Sequence, residues 1–255
     1  MPLDLGKLRE LRPENEFHYI PVIGSTMTEA SRLATVRAPN GTVVIADEQT
    51  SGIGRLGRNW ISEEDVGIYA SILLRLPVPP SDLPVASLLI GLAVAEGIAN
   101  ATHVTCDLRW PNDVLIAEKK VAGILAQLVG GCVIAGVGIN VNNTAFPNAL
   151  RTPATSLLLA SGGSPQSREV VLGSVLESLD SFQALLLHNG IEAVLRAFSA
   201  ASSYVMNRRV IVEESGARGV TAGLDEHGFL LVRLESGEIE RISSGGIRPD
   251  TGAAR

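Results

Sequence analysis

Three clusters in this sequence combine residue types able to handle a phosphate or a carboxylate. The first is DEQTSGIGRLGRNW, Asp47 to Trp60, where Gly52, Gly54 and Gly57 alternate with Arg55 and Arg58 directly after a β-branched run. Glycine lets backbone N–H groups come close to an anion, and each guanidinium offers a planar fork of donors that matches phosphate. No Gly-Lys-Ser/Thr follows, so this is not a Walker A loop, and no helix opens after Gly57 as a dinucleotide fingerprint requires. An exposed hairpin loop with ordinary surface arginines would have the same composition.

The second cluster is RWPNDVLI, residues 109–116, with Lys120 in the following KKVAGILAQ. Asp113 and Lys120 fall on two strands joined by a tight turn, so a carboxylate and an ammonium can converge on one face of the hairpin. Such a pair also suits a salt bridge at a sheet margin. The irregular polar turn Trp110-Pro111-Asn112 inside an apolar strand pattern weighs toward a functional site. The third cluster, GVGIN at 136–140, ends an apolar strand with small residues that leave room for a ligand and puts the Asn140 amide at its carboxyl end. A strand packed tightly on a helix reads the same way. Ser25 and Thr26 serve equally as helix caps or as polar contacts.

The elements that must position these clusters follow from pattern. FHYIPVI at 17–23, TVVIA at 42–46 and GIYASILLRL at 67–76 read as strands, and Thr28 to Arg37 as a short helix. A proline-rich turn at 77–84 leads into an apolar helix over 84–101, then strands at 104–110, 113–117, 121–128 and 133–141. Ser164 and Pro165 form a cap and first-position pair for a helix running to Gly190, with a second helix over 191–200. The last segment switches to short β-runs at 208–214, 219–225, 229–234 and 238–243, which predicts a small barrel or sandwich docked without a flexible linker.

At 255 residues the chain suits one sizeable core plus a small module, with 45% hydrophobic and 19% charged residues favouring a globular fold. A net charge of −6 argues against an electrostatic footprint for duplex DNA or an anionic membrane. The N-terminus lacks the pattern of a secretory signal, and the apolar run from Leu83 to Ala95 reads as a buried helix. Cys106 and Cys132, with no CxxC or histidine cluster, exclude a disulfide framework or structural zinc and fit a reducing cytoplasm.

Taken in order, ST at 25–26, GIGRLGR followed by Trp60, RWPND, KVAGIL and GVGIN resemble the motifs of the bacterial biotin protein ligase family, where they run as ST, GRGRxGR, KWPND, KLAGIL and GxGIN. The resemblance covers roughly residues 19–250. It implies an α+β fold: a mixed-sheet catalytic domain with packed helices, of the class II synthetase-like kind, over 1–204, and an SH3-like C-terminal barrel over 205–255. It implies a biotin slot lined by Ser25, Thr26, Met27, Gln49, Gly52, Ile53, Gly54 and Arg55, with Lys120, Gly123, Gly136 and Gly138 completing the wall. Arg55, Arg58, Trp60, Asn112, Asp113, Lys120 and Asn140 would take the nucleotide, Trp60 against the adenine region. Lys120, Arg55 and Asp113 would be catalytic, Asp113 either holding Mg²⁺ or orienting the lysine.

The implied reaction forms biotinyl-5′-adenylate from biotin and MgATP, then passes biotin to a lysine of the biotin carboxyl carrier domain of acetyl-CoA carboxylase. The stretch before Ser25 is too short for the winged helix carried by repressor members, so no DNA binding is expected. A homodimer through strand edges is compatible with the pattern. Three positions depart from the family's motifs: Ile53 for the first loop arginine, Arg109 for the lysine of KWPND, and Met27 in the third position of an STN-like motif. A lipoate ligase shares the adenylate chemistry, and a non-catalytic biotin binder would account for the departures.

Overall fold

The computed structural model describes residues 1–148, 150–250 and 252. Helix α1 (Leu5–Leu11) leads into β1 (Phe17–Tyr19), β2 (Val22–Ile23), α2 (Thr26–Thr35), β3 (Val43–Ala46), β4 (Glu48–Gln49) and β5 (Gly67–Leu74). Then come α3 (Leu83–Thr102), β6 (Asp107–Arg109), β7 (Asp113–Ile116), β8 (Lys119–Val129), β9 (Cys132–Asn140), α4 (Leu157–Ala160) and α5 (Arg168–Ala201). The chain closes with β10 (Met206–Val212), β11 (Arg218–Leu224), β12 (Leu230–Leu234), β13 (Ile239–Ile242) and β14 (Ile247–Pro249).

The large sheet runs β1-β3-β5-β9-β8-β7-β6; β1 and β3 are parallel and the other pairs antiparallel, so the domain is α+β with a mixed sheet. Side-chain alternation divides its faces. Val43 and Ile45 of β3, and Val133, Ala135, Val137 and Ile139 of β9, join the core under α3 and α5. Val44, Cys132 and Ile134 turn the other way, under α2. That second face continues along β9 as Gly136 and Gly138 and along β8 as Gly123, a strip without side chains beside α2. Gly97 lets α3 and α5 touch, since a Cβ there would lie 2.5 Å from the Val175 Cα.

Several boundaries differ from the pattern reading. The expected strand over 17–23 is two short ones, because Pro21 has no N–H and its carbonyl receives Asp47 and Glu48 instead. The long helix opens at Ser167, not Ser164: Gln166 is tied in extended form by two hydrogen bonds to the Asn142 amide, and Ser167 then accepts from Val170 N. It breaks at Gly190, which takes φ 76°. Helix α1 has no apolar period of its own and is held by tertiary partners: Glu169 accepts from Asp4 N, and Arg12, just past its end, pairs with Asp180.

The C-terminal strands form a five-stranded antiparallel sheet, β13-β12-β11-β10-β14, of SH3-like kind. Val210, Leu230, Val232 and Ile247 belong to the same core as α3 and α5, so the small unit is packed directly on the large one. Trp110 Nε1 donates to Gly228 O at 2.9 Å, and His227 Nδ1 lies 2.7 Å from Asp82 Oδ1.

Candidate active site

A cavity of about 530 Å³ opens between the glycine strip, the 50–60 loop, the β7–β8 hairpin and the first and last turns of the C-terminal sheet. Lys120 reaches it through a β-bulge. Val114 pairs with Ala122 but Leu115 with Lys120, so Val121 is an extra residue and both Val121 and Ala122 face the core. That extra residue turns Lys120 onto the face of Gly123, where its Nζ lies over the glycine. Asp113 pairs with Gly123 across the ladder and projects to the same side.

The Asp113 carboxylate sits between two cations. Its Oδ1 is 2.5 Å from Lys120 Nζ, and its Oδ2 is 2.5 Å from Nη2 of Arg109, whose side chain is only 6% exposed. Burial alone would raise the Asp113 pKa, but Lys120 and Arg109 together hold it below the ordinary carboxylate range. Both oxygens are thus engaged, which suits the orienting of Lys120. Among the described residues no group of three or more His, Cys, Asp or Glu gathers to hold a metal ion. The residues fit Mg²⁺ carried on nucleotide phosphates better than a preformed protein site.

The glycine-and-arginine loop is a hairpin folded back on itself. Gly54 N donates to Arg58 O at 2.6 Å and Trp60 N to Gly52 O at 2.9 Å. A Cβ at Gly52 would strike the Trp60 carbonyl, and one at Gly54 would lie 3.0 Å from the Arg58 carbonyl. These glycines therefore serve the close approach of the two legs, and the Gly54 N–H is engaged within the hairpin. Leu56 and Gly57 take positive φ at the tip. The arginines remain directed at the cavity. Arg55 Nη1 donates to Gly245 O at 2.9 Å and Asn112 Oδ1 at 3.3 Å, and burial, ahead of the opposing Asp113 charge, pulls its pKa down.

The remaining expected residues divide between two spaces. Thr26, Met27, Gln49, Ile53, Gly54, Gly123, Gly136, Gly138, Asn112 and Asn140 line the main cavity with Arg55, Arg58, Trp60, Asp113 and Lys120. Ser25 and Gly52 instead line a more open depression on the outer side of the loop. Ser25 is the N-cap of α2 by position, yet its buried Oγ has no partner among the described residues. The cap comes from Gln49, whose Oε1 accepts from Thr26 N at 2.9 Å and Thr26 Oγ1 at 3.0 Å. Trp60 lies on the glycine strip: a Cβ at Gly138 would lie 2.4 Å from Cε2 of its ring, and Lys120 Nζ is 5.4 Å from the ring centroid. Its buried Nε1 has no partner among the described residues. Asn112 Nδ2 donates to Ile124 O and Asn140 Nδ2 to Thr155 O, so both amides also brace the walls.

Sequence reasoning treated Arg109 only as a departure, although it holds one half of Asp113. It also missed Glu63, Arg151, Glu213 and Gly245 on the cavity wall. The adjacent glycines Gly245 and Gly246, which follow the β-run at 238–243, are the one sequence signal for the C-terminal contribution; Arg151, alone between patterned segments, carries none.

Models described as the biotin/lipoate A/B protein ligase family and the biotin protein ligase C terminal domain match residues 19–143 and 205–247. The bifunctional ligase/repressor BirA of Bacillus subtilis is 36% identical over 236 residues, covering 90% of this chain and 72% of the relative. The biotin–acetyl-CoA-carboxylase ligase of Mycobacterium tuberculosis is 32% identical over 263 residues, covering 96% and 95%. Among solved structures, a biotin protein ligase from Aquifex aeolicus in complex with biotin and ATP matches with a TM-score of 0.78 at 32% identity, over 91% of this chain and 97% of that one.

Proposed function

This chain belongs to the biotin protein ligase family, and on that premise we propose how its cavity joins biotin to protein. The chain is an ATP-dependent biotin protein ligase. One carboxylate oxygen of biotin attacks the α-phosphorus of MgATP, the bond to the pyrophosphate oxygen breaks, and biotinyl-5′-adenylate forms. The ε-amine of an acceptor lysine then attacks the acyl carbon, AMP leaves, and the amine gives up its proton to the medium.

The observation that carries the site assignment is the single cavity shared by the glycine strip, the Arg55/Arg58 loop and the Asp113–Lys120 hairpin. An apolar slot ending at a fixed ammonium suits a ligand with a carboxylate at the end of an aliphatic tail. Trp60 and Met27, packed directly on the strip of Gly123, Gly136 and Gly138, form one wall of that slot, and Thr26, Gln49, Ile53 and Gly54 close its sides. Ser25 and Gly52, on the outer face of the loop, meet the ligand only if the loop shifts. Lys120 neutralises the carboxylate and the α-phosphate as their charges are brought together, and Asp113, fixed by Arg109, keeps Lys120 aimed. Arg55 and Arg58 take phosphate oxygens through charge-assisted hydrogen bonds. Catalysis of this kind is positioning and charge stabilisation, and needs no nucleophilic side chain.

The acceptor is the carrier domain of a biotin-dependent carboxylase, with acetyl-CoA carboxylase the natural choice given the relatives' names. The free thiols of Cys106 and Cys132 fit a cytoplasmic setting. The test is incubation of the chain with MgATP, a carrier domain, and either biotin or lipoate, read by mass spectrometry of the carrier. Gain of one biotinyl group on one lysine is expected, with no lipoylation. Lipoylation alone, or no modification, would overturn the reading.

A further inference from the structure

Resting on that adenylating site, we infer that Arg151 is a third phosphate-binding cation beside Arg55 and Arg58, and that Glu213 is its resident counter-anion, exchanged for the nucleotide's terminal phosphates. A single oxygen of Glu213, Oε2, lies 2.9 Å from Arg151 Nη2 and 3.8 Å from Arg58 Nη2. The Glu213 side chain is 11% exposed, whereas the two arginine side chains are about half exposed. All three line the cavity.

Each partner is anchored to the catalytic machinery through its backbone. Lys120 N donates to Pro153 O at 2.7 Å and Thr155 N to Lys120 O at 2.9 Å, so the segment following Arg151 runs alongside the catalytic lysine. Thr152 Oγ1 accepts from Arg109 Nη2 at 2.8 Å, the same nitrogen that holds Asp113. Glu213 N donates to Gly246 O at 2.9 Å, and a Cβ on Gly246 would lie 2.9 Å from the carboxylate, so the glycine turn wraps Glu213 closely. Gly245, in that same turn, accepts from Arg55.

A simple brace between domains would not require a fixed carboxylate beside the loop that receives phosphate. Two forked cations meeting on one carboxylate oxygen present the arrangement that two oxygens of a phosphate would meet, and phosphate carries more charge and more acceptor sites. Binding of MgATP therefore draws Arg58 and Arg151 off Glu213. Release of pyrophosphate lets the carboxylate reclaim them, which speeds departure of that product.

The test uses the full chain in biotin-dependent exchange of labelled pyrophosphate into ATP, with Arg151→Ala and Glu213→Gln. Losing one charge-assisted phosphate contact should raise KM for MgATP about tenfold in R151A and weaken inhibition by pyrophosphate by a similar factor, with KM for biotin unchanged. E213Q, which removes the competing anion, should lower KM for MgATP. Wild-type KM for MgATP in R151A overturns the inference, as does a rise in E213Q matching that in R151A, the mark of a brace alone. Absence of biotin-dependent exchange in the unaltered chain would instead strike the functional reading itself.

Discussion

Replacing Asp113 with asparagine keeps the side chain's shape while removing the charge that two cations share. Each contact spans 2.5 Å. At an effective dielectric of about 20 the attraction at that distance is roughly 7 kcal/mol per pair, most of it offset by desolvation of the ions. Removing one partner of a buried pair costs about 3–5 kcal/mol. Arg109 is buried and cannot reach water, but Lys120, 23% exposed, can turn outward, so the lower end applies. A loss of about 3 kcal/mol is expected, or roughly 6–12 °C in Tm for a chain of this size. Lys120→Met leaves Asp113 paired with Arg109 and should cost only ~1 kcal/mol, while abolishing adenylate formation. Guanidinium unfolding followed by circular dichroism, beside pyrophosphate exchange on both variants, measures this. An Asp113→Asn variant within about 0.5 kcal/mol of the parent, or a larger loss in Lys120→Met, would refute the two-cation arrangement.

Three other outcomes follow from the same geometry. Gly138→Val inserts side-chain atoms where the Trp60 ring lies, so KM for biotin should rise by about tenfold or more while KM for MgATP holds, as exchange kinetics would report. Because the folded-state pKa of Asp113 is depressed, its stabilisation is fully present above the unfolded value of about 3.9 and is lost as pH falls through the lower folded value. Acid unfolding followed from pH 6 downward should therefore show a step at the acid end that Asp113→Asn lacks. Trp110 is buried and hydrogen-bonded to Gly228, whereas Trp60 lies on the glycine strip, its N–H without a partner among the described residues. A change in tryptophan fluorescence on adding biotin and MgATP should thus vanish in Trp60→Phe and persist in Trp110→Phe.

The central strands were legible because burial on both faces writes a continuous apolar run, as in Gly67 to Leu74. The terminal sheet was legible because its short runs alternate with turn residues. The boundaries that moved did so for reasons outside their own segments: Ser167 replaces Ser164 because distant Asn142 ties down Gln166. Of the site, the residues carried on contiguous motifs were named. Gly52 and Gly54 read as anion-cradling glycines, and in the fold they also permit the close approach of two backbone legs, a role that composition cannot carry. The bulge at Val121 that aims Lys120 is a matter of register, invisible without the partner strand. Arg109, Arg151 and Glu213 acquire meaning only from tertiary partners, Glu213 from the opposite end of the chain.

The most direct measurement is a crystal structure of the chain with a hydrolysis-resistant analogue of biotinyl-5′-adenylate. Its bicyclic head should lie in the cavity against Trp60 and Met27 beside the glycine strip, with the phosphate in hydrogen-bonding range of Lys120 Nζ and an Arg55 or Arg58 guanidinium. An analogue bound on another surface, or bound in the cavity with its phosphate remote from both Lys120 and the arginine loop, would contradict the shared-pocket mechanism.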